Sequence, residues 1–419
     1  MEKELTSAVL VGIAQKGRDN GECEKSLDEL ERLLETAGGV CFAKMIQAKE
    51  NENPKTCIGS GKLTELAELC KNNDIHLAVF DTELSPAQIR NIEDALDEVD
   101  VIDRSMLILD IFALHATSAE GKLQVELAQL RYTAPRLIGK GKALSRQGGR
   151  IGTRGPGESK LETDRRYLAR RAAALEAAIC DVERTRATMR AARERSGLKK
   201  VAIVGYTNAG KSTLLNRLTD AGVLAENKLF ATLDSTTRKL TLPEGTEVLI
   251  SDTVGFIRKL PHHLVRAFRS TLDELRFADI LLVVADASDS ECDVQLAVTT
   301  DLIAQLGAGD KPIIYLFNKS DLAQDGLSFI QTEDVKAVFI SAKTGMGIDH
   351  FLRLLETVAR AGKRKCVLRF PFSAQGMLAQ LYKDATVESC VYGDDCTEVH
   401  AILDEKAQGR YKDYIVGNN

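Results

Sequence analysis

An apolar run, Val201-Ala202-Ile203-Val204, leads directly into the stretch Gly205-Tyr206-Thr207-Asn208-Ala209-Gly210-Lys211-Ser212. This stretch has the G-x-x-x-x-G-K-S spacing of a phosphate-binding loop, with the buried strand before it and the helix after it that the motif requires. Its glycines let backbone N–H groups turn inward around nucleotide phosphates, and the next helix directs its positive end at the same anion. A chance glycine turn is disfavoured, because four fixed positions and both flanks match. We predict that Lys211 reaches the β- and γ-phosphates catalytically and that the Ser212 hydroxyl ligates Mg²⁺.

Residues further along the chain predict which base the nucleotide has. Asn318-Lys319-Ser320-Asp321 follows an apolar run at 313–317, and Ser341-Ala342-Lys343 follows another at 337–340. The Asp321 carboxylate could accept hydrogen bonds from N1–H and the exocyclic amino group of guanine, which adenine cannot supply. An unpaired acceptor in a closed pocket costs about 1–3 kcal/mol. An ordinary helix cap is the alternative, but together with the phosphate loop these residues predict guanine binding, with residues 341–343 completing the base pocket.

Between these motifs, the stretch Asp252-Thr253-Val254-Gly255 ends an apolar run at 248–251. A carboxylate in this position can hold Mg²⁺ through a water molecule, and the N–H of Gly255 can contact the γ-phosphate. We therefore predict that Asp252 belongs to the metal site and that Gly255 is catalytic because it detects the γ-phosphate.

A threonine-rich segment, residues 230–238, lies at the distance from the phosphate loop that a first switch segment requires. It begins Phe230-Ala231-Thr232-Leu233-Asp234, and all five residues are predicted to contact the nucleotide. Thr232 is our choice for a second, catalytically important hydroxyl ligand of Mg²⁺. Thr236 and Thr237 remain rivals, and the alternative is a Ser/Thr-rich loop before a strand.

Phe256 occupies the position directly after Gly255, where many nucleotide hydrolases have the glutamine that orients the attacking water. Phenylalanine cannot hydrogen-bond water, so intrinsic hydrolysis should be slow unless a partner or another side chain completes the site. Arg238 and Arg258 lie near the switch segments, but a structural role for either is at least as well supported as a catalytic one.

The amino-acid sequences of these motifs resemble those of one family. FATLDSTTR at 230–238 and DTVGFIRKLP at 252–261 are similar to the HflX family of P-loop GTPases, as are residues 53–62, 84–91 and 148–158. One departure is Ser235, where members often have proline. The resemblance implies GTP hydrolysis with Mg²⁺, slow alone and stimulated by the ribosome, and in some members a second, ATP-linked activity. It also implies binding to the large ribosomal subunit near the peptidyl-transferase centre, and splitting or rescue of ribosomes stalled under stress.

Composition agrees with a chain of two to four globular domains. The 419 residues are 44% hydrophobic and 28% charged, and the net charge is −5. An RNA partner would thus have to meet local basic patches. Apolar runs are too short to span a membrane, and the N-terminus lacks a signal-peptide pattern. We expect a cytoplasmic protein, with peripheral membrane association left open. The nine cysteines form no C-x-x-C pair and predict neither a zinc site nor disulfides.

Hydrophobic periodicity predicts an α/β chain of four parts. Residues 1–115 alternate strands (8–14, 40–46, 75–80, 99–102) with helices (24–36, 62–72, 86–96), and residues 116–198 form a long antiparallel helical hairpin. Residues 199–360 form a Rossmann-like P-loop domain. Residues 361–419 form a small α/β domain, a docking or regulatory module with the order strand, helix, strand, strand, helix. In the first part, Gly59-Ser60-Gly61 favours a structural turn over an anion site.

A glycine-rich basic segment, residues 139–157, separates the two helices of the hairpin and has seven glycines and no acidic residue. A flexible cationic backbone suits insertion among phosphates, whereas a solvated linker is the general alternative. Because of its place at the tip of the hairpin, we predict RNA contact through phosphates and arginine stacking. The predicted RNA-binding residues are Lys140, Lys142, Arg146, Arg150 and Arg154.

Two other functions stay open at this stage. One is an RNA-remodelling or ribosome-assembly factor driven by GTP, against which the lack of a second catalytic motif argues. The other is a GTP switch for a membrane-linked process, against which the lack of an anchor argues. In each case we expect a monomer when the protein is not bound to its partner.

Overall fold

The computed structural model describes residues 6–15, 21–50, 52–145, 156–194, 198–219, 229–230, 236–259, 274–323, 336–361, 364–393, 395–403 and 405–418. They form the predicted α/β architecture: an N-terminal domain, a helical hairpin, a central P-loop domain and a C-terminal domain. No helix within these ranges is long and apolar enough to cross a membrane.

The N-terminal domain is a parallel four-stranded sheet with helices on both faces. Its strand order is β2-β1-β3-β4, so successive crossovers place α1 and α4 on one face and α2 and α3 on the other. The strands are β1 (Thr6–Gln15), β2 (Gly39–Lys49), β3 (Leu77–Phe80) and β4 (Asp100–Asp103), and the helices are α1 (Gly21–Thr36), α2 (Ser60–Asn72), α3 (Pro86–Leu96) and α4 (Arg104–His115).

Helix α3 illustrates how the sequence sets these boundaries. The Ser85 hydroxyl accepts a hydrogen bond from the Gln88 N–H, and the Gln88 side chain accepts one from the Ser85 N–H. This reciprocal capping box, with Pro86 at the first helical position, fixes the start of the helix. Helix α4 was not assigned from sequence, because its residues are apolar nearly all round and give no amphipathic signal.

The helical hairpin consists of α5 (Ala119–Ser145) and α6 (Pro156–Glu194). Ion pairs link the two helices, Arg131 to Glu176 at 2.5 Å and Arg171 to Glu126 at 2.5 Å. Helix α5 continues through residues 139–145 and α6 begins at Pro156, so both ends of the glycine-rich loop predicted at 139–157 are corrected inward. A glycine costs about 1 kcal/mol in a helix, a cost that the good helix formers near Gly139 and Gly141, namely Leu137, Lys140, Lys142 and Ala143, can offset.

The central domain has a six-stranded sheet in the order β10-β9-β8-β5-β7-β6, in which only β6 runs antiparallel to its neighbour among the described strands. The carboxyl ends of β5, β7 and β9 lie along one edge, so the predicted motifs that follow them converge there. The strands are β5 (Lys199–Gly205), β6 (Thr237–Thr241), β7 (Glu247–Asp252), β8 (Ile280–Asp286), β9 (Ile313–Asn318) and β10 (Ala337–Phe339), and the helices are α7 (Lys211–Thr219), α8 (Cys292–Gln305) and α9 (Ile348–Arg360).

The C-terminal domain is an antiparallel sheet in the order β12-β13-β11-β14, with two helices packed on one face. Its chain order, βαββαβ, is the ferredoxin-like arrangement. The last strand was missed from sequence because it has only four residues. The elements are β11 (Arg364–Pro371), α10 (Gln375–Asp384), β12 (Thr386–Tyr392), β13 (Cys396–Leu403), α11 (Glu405–Arg410) and β14 (Ile415–Asn418).

Candidate functional site

The phosphate loop joins β5 to α7, and two of its glycines are required by close backbone contacts. A Cβ on Gly205, which has φ +151°, would lie 2.1 Å from the Val284 carbonyl oxygen. One on Gly210, which has φ +94°, would lie 2.2 Å from Asn318 Nδ2. These contacts and backbone angles exclude any side chain, so the loop can keep its inward-facing N–H groups only with glycine at both positions.

Lys211 begins α7 and is buried at the floor of the loop. Its Nζ donates to the Tyr206 carbonyl oxygen at 2.7 Å. Burial lowers the pKa of Lys211 to about 8, and the nearby Asp252 carboxylate opposes this shift only in part. A desolvated ammonium group favours an anionic ligand, because a phosphate oxygen beside it would stabilise the charged form.

The next helical residue, Ser212, donates its hydroxyl to an oxygen of Asp252 at 2.7 Å. The other carboxylate oxygen of Asp252 accepts from the Thr253 N–H at 2.9 Å, and the whole side chain is buried. Mg²⁺ prefers hard oxygen ligands, so the pair formed by Ser212 and Asp252 fits such an ion. Mg²⁺ held there would neutralise charge on the phosphate oxygens of a bound nucleotide.

Gly255, the predicted γ-phosphate sensor, lies against both the phosphate loop and Lys211. A Cβ on Gly255 would come within 2.8 Å of Thr207 Cγ2 and 2.9 Å of Lys211 Nζ. The backbone of Phe256 bonds the same loop, its N–H to the Gly205 carbonyl at 3.0 Å and its carbonyl to the Thr207 N–H at 2.8 Å. The second switch segment, defined as residues 252–258, therefore shares backbone hydrogen bonds with the phosphate loop.

The side chain of Phe256 is only 1% exposed and packs in the central core with Val204 and Leu281. It turns inward from the backbone that borders the phosphate loop. This placement agrees with the expectation that the residue after Gly255 does not orient a water molecule in this protein.

Asn318 holds three loops together at the edge of the sheet. Its Nδ2 donates to the Ala209 carbonyl at 2.8 Å, and its Oδ1 accepts from the Ala342 N–H at 2.9 Å. The side chain thus joins the phosphate loop to residues 341–343 and fixes their separation. Sequence reasoning predicted nucleotide contact for Asn318 but missed this bridging role, which requires the three loops to be seen together.

The remaining predicted base-pocket residues lie around this bridge. Lys319 has φ +60° and pairs with Asp286 at 2.6 Å, which orients the start of the loop. The Ser320 N–H donates to the Ile340 carbonyl at 3.1 Å. Asp321 and Lys343 are exposed, whereas Ser341 is buried and accepts from the Thr344 N–H through its hydroxyl. The elements that would enclose a guanine base are therefore next to one another.

Tyr206 is the part of the phosphate loop whose place sequence reasoning did not foresee. Its hydroxyl leaves the loop, donates to Glu29 of α1 and accepts from the Arg258 N–H at 2.7 Å. The ring is buried in the core of the N-terminal domain. Burial and the Glu29 carboxylate raise the pKa of Tyr206, so this hydroxyl stays protonated and remains a donor.

Both switch segments enter the same N-terminal core. The Phe230 ring packs edge-on against Phe112 of α4 with centroids 4.8 Å apart, and the Leu229 N–H donates to the Thr36 hydroxyl at 3.3 Å. Val254 and Ile257 of the second switch segment are buried in this cluster. We define the domain contact as Tyr206, Leu229, Phe230, Val254 and Ile257 with the N-terminal residues that they touch.

A buried ionic network continues the domain contact. Arg104 is 2% exposed and donates to Asp81 at 2.7 Å and to Glu29, the acceptor of Tyr206. Lys259, directly after the second switch segment, donates to the same Asp81. Arg104 and Asp81 are removed from water, so each depends on its partners, whereas Lys259 is half exposed. Arg258 pairs with Glu291, which supports the structural role considered for it.

Several predicted residues lie outside the described part of the chain. They are Ala231, Thr232, Leu233 and Asp234 of the first switch segment and Arg146, Arg150 and Arg154 of the basic loop. Lys140 and Lys142 lie in α5. Of the two rivals of Thr232, Thr236 precedes β6 and its carbonyl accepts from the Asp252 N–H at 3.1 Å, whereas Thr237 is the first residue of β6 and pairs with Ser251.

Known proteins match this chain along most of its length. Models described as GTP-binding GTPase N-terminal, GTP-binding GTPase Middle Region and 50S ribosome-binding GTPase match residues 24–113, 115–193 and 200–319. A GTPase HflX of Lacrimispora saccharolytica is 49% identical over 401 residues, which are 96% of this chain and 94% of that relative. The GTPase HflX of Escherichia coli is 41% identical over 87% of this chain and 86% of its own length.

A solved structure of a GTP-binding protein from Sulfolobus solfataricus in complex with GDP aligns over 85% of this chain and 99% of its own, with 24% identity and a TM-score of 0.44. The family assignment depends on the sequence relatives, whose identity is high and whose coverage is nearly complete. Their name agrees with the geometry, in which the predicted phosphate loop lies beside the Ser212–Asp252 pair and is joined by Asn318 to residues 341–343. The chain therefore belongs to the HflX family of GTPases.

Proposed function

We propose that this protein binds the large ribosomal subunit in its GTP-bound state, separates or rescues ribosomes stalled under stress, and is released after hydrolysis. The observation that supports this proposal best is the domain contact. Residues from the phosphate loop and from both switch segments share one core with the N-terminal domain. A change around the γ-phosphate would therefore alter packing at the base of the domain that leads into the hairpin.

The route from the nucleotide to the hairpin passes through short, packed contacts. Phe112 of α4 touches Phe230, and Asp110 of the same helix accepts from Gln129 of α5 at 3.0 Å. Asp103, at the end of β4, accepts from Arg136 and Tyr132 of α5. Packed cores change between discrete arrangements more readily than they deform continuously. A switch movement would thus reorient the hairpin as a unit.

For this route to drive binding, GTP must favour one arrangement of the switch segments over the other. A ligand shifts an equilibrium only by its difference in affinity for the two states. The γ-phosphate supplies such a difference, since it would contact Gly255, whose neighbours Val254 and Ile257 belong to the domain contact. GDP lacks the γ-phosphate and would therefore no longer hold the switch segments in that arrangement. We also propose that Ser212 and Asp252 hold the Mg²⁺ that accompanies the nucleotide.

The RNA contact is assigned to the basic loop between α5 and α6. Its cationic residues would neutralise phosphates, which makes binding dependent on salt concentration. The hairpin is long enough to present the loop away from the central domain, because the 39 residues of α6 extend about 58 Å at 1.5 Å per residue. GTP affinity and ribosome affinity should therefore be separable by mutation.

The experiment is to replace Arg150 and Arg154 together with alanine and measure binding to purified large ribosomal subunits with a GTP analogue. We expect weaker binding, a salt dependence reduced by about one to two units of log–log slope, and unchanged GTP affinity. As a matched control, alanine at Arg165 and Arg170 removes two exposed α6 charges outside the loop. Parallel loss of GTP affinity, or an equal effect of the control pair, would contradict the proposal.

A further inference from the structure

GTP hydrolysis by this protein needs a group that the position after Gly255 does not supply. Phe256 is buried in the central core, so its ring is turned into the protein and has no hydrogen-bonding atom. Within the described residues, a Cβ placed on Gly255 would meet two side chains of the phosphate loop, those of Lys211 and Thr207. The ammonium group of Lys211 is already assigned to the phosphates, which leaves Thr207. It is therefore the candidate for the missing role.

The hydroxyl of Thr207 is buried and unused. The residue is 5% exposed, and within the described part of the chain its Oγ1 has no hydrogen-bond partner. Its backbone N–H is used, because it donates to the Phe256 carbonyl. A buried hydroxyl without a partner costs about 1–3 kcal/mol, so a protein retains one where a ligand can satisfy it.

The surroundings of Thr207 indicate which ligand this is. Its Cγ2 and Cα lie 2.8 and 2.9 Å from the position of a Cβ on Gly255, and Lys211 Nζ lies 2.9 Å from that position. Gly255 and Lys211 are the two residues expected at the γ-phosphate. Thr207 therefore borders the volume in which the γ-phosphate and its attacking water must meet.

We propose that Thr207 is the positioning residue for GTP hydrolysis, its hydroxyl orienting the attacking water against the γ-phosphate. A threonine hydroxyl can accept a hydrogen bond from water and donate one to a phosphate oxygen at the same time. The water oxygen bonds the γ-phosphorus, the bond from that phosphorus to the β,γ-bridging oxygen breaks, and its electron pair leaves with GDP. The proton of the water ends on the released phosphate, so threonine neither gains nor loses a proton. This inference depends on GTP hydrolysis and not on the ribosomal partner.

The test compares full-length Thr207→Val, which loses the hydroxyl at nearly constant shape, with Thr207→Ser, which keeps it. Single-turnover hydrolysis at saturating GTP and Mg²⁺ is measured without ribosomes, alongside GTP and GDP affinities. We expect valine to slow hydrolysis roughly 10- to 100-fold, the scale of losing one hydrogen bond to a charged group. Both affinities should stay within about threefold, and serine should recover most of the rate.

Three results would overturn the inference: a wild-type rate in Thr207→Val, equal loss of rate in the valine and serine variants, or affinity that falls in parallel with rate. Formation of a GDP–aluminium fluoride complex, which mimics the transition state, is a second readout and should be impaired by valine alone. If Thr207→Val does not fold, Thr207→Ala takes its place in the comparison. Thr357→Val, on the exposed face of α9, is the matched control for the chemical change.

Discussion

Replacing Tyr206 with phenylalanine should loosen the contact between the phosphate loop and the N-terminal domain. The hydroxyl donates to the Glu29 carboxylate and accepts from the Arg258 N–H at 2.7 Å, and the side chain is buried. Phenylalanine keeps the ring in the apolar cluster, so the substitution removes the two hydrogen bonds and little else. Glu29 retains Arg104 as a partner.

The expected cost follows from these contacts. A hydrogen bond to a charged acceptor contributes about 1.5–3 kcal/mol, and the Arg258 N–H loses its acceptor as well. Part of this free energy is recovered because Arg104 still compensates the Glu29 charge. We therefore expect the substitution to destabilise the domain contact by about 2 kcal/mol. Since 1.4 kcal/mol corresponds to a factor of ten, the domain contact should open roughly 30 times more often.

Native-state hydrogen exchange measures this opening locally, without assuming that a chain of several domains unfolds in two states. Amides of α1 that face the contact should exchange up to about 30-fold faster in Tyr206→Phe. In a Glu29→Gln background the same substitution should have a much smaller effect, because the two side chains share one interaction. Tyr411→Phe is the matched control, since that hydroxyl donates to Asp384 at 2.8 Å within the C-terminal domain. Unchanged α1 exchange, or equal effects in both backgrounds, would refute the reasoning.

Two further predictions concern Lys211. Lys211→Ala should abolish measurable GTP and GDP binding in equilibrium titrations while the fold, checked by circular dichroism, is retained; tight GTP binding by this variant would disprove the site assignment. Nucleotide affinity should also fall as pH rises through the Lys211 pKa of about 8, because the free protein then holds a neutral amine and must take up a proton to pair with phosphate. Affinity should be flat below that pKa and weaken about tenfold between roughly pH 7 and pH 9. Lys211→Arg, if it binds, should show no such loss, and an identical pH profile in that variant would assign the titration to another group.

The parts of the site that the sequence predicted are those set by local spacing. The loop from Gly205 to Ser212 and the residues Asp252 and Asn318 each follow a strand, and parallel strands bring their carboxyl ends to one edge. Residue spacing and the alternation of strands with helices were therefore enough to predict the central domain and its converging motifs.

The parts that could not be predicted depend on contacts distant in sequence. Tyr206 lies 177 positions from its partner Glu29. Arginine side chains are mostly exposed, so sequence alone would not place Arg104 in the interior. Its burial is explained by its partners Asp81 and Glu29, which are distant in sequence. The orphan hydroxyl of Thr207 likewise emerges only from the packing of the second switch segment against the phosphate loop.

The central claim, that this GTPase is activated by the large ribosomal subunit, is tested most directly by its GTP turnover rate with and without those subunits. Because the Phe256 ring is buried, catalysis without subunits would depend on the Thr207 hydroxyl alone, so we expect slow turnover alone and a rise of tenfold or more with subunits, about 1.4 kcal/mol of barrier. Naked RNA and lipid vesicles should not reproduce the rise. Unchanged turnover with intact GTP binding, or an equal rise with naked RNA or vesicles, would contradict the claim.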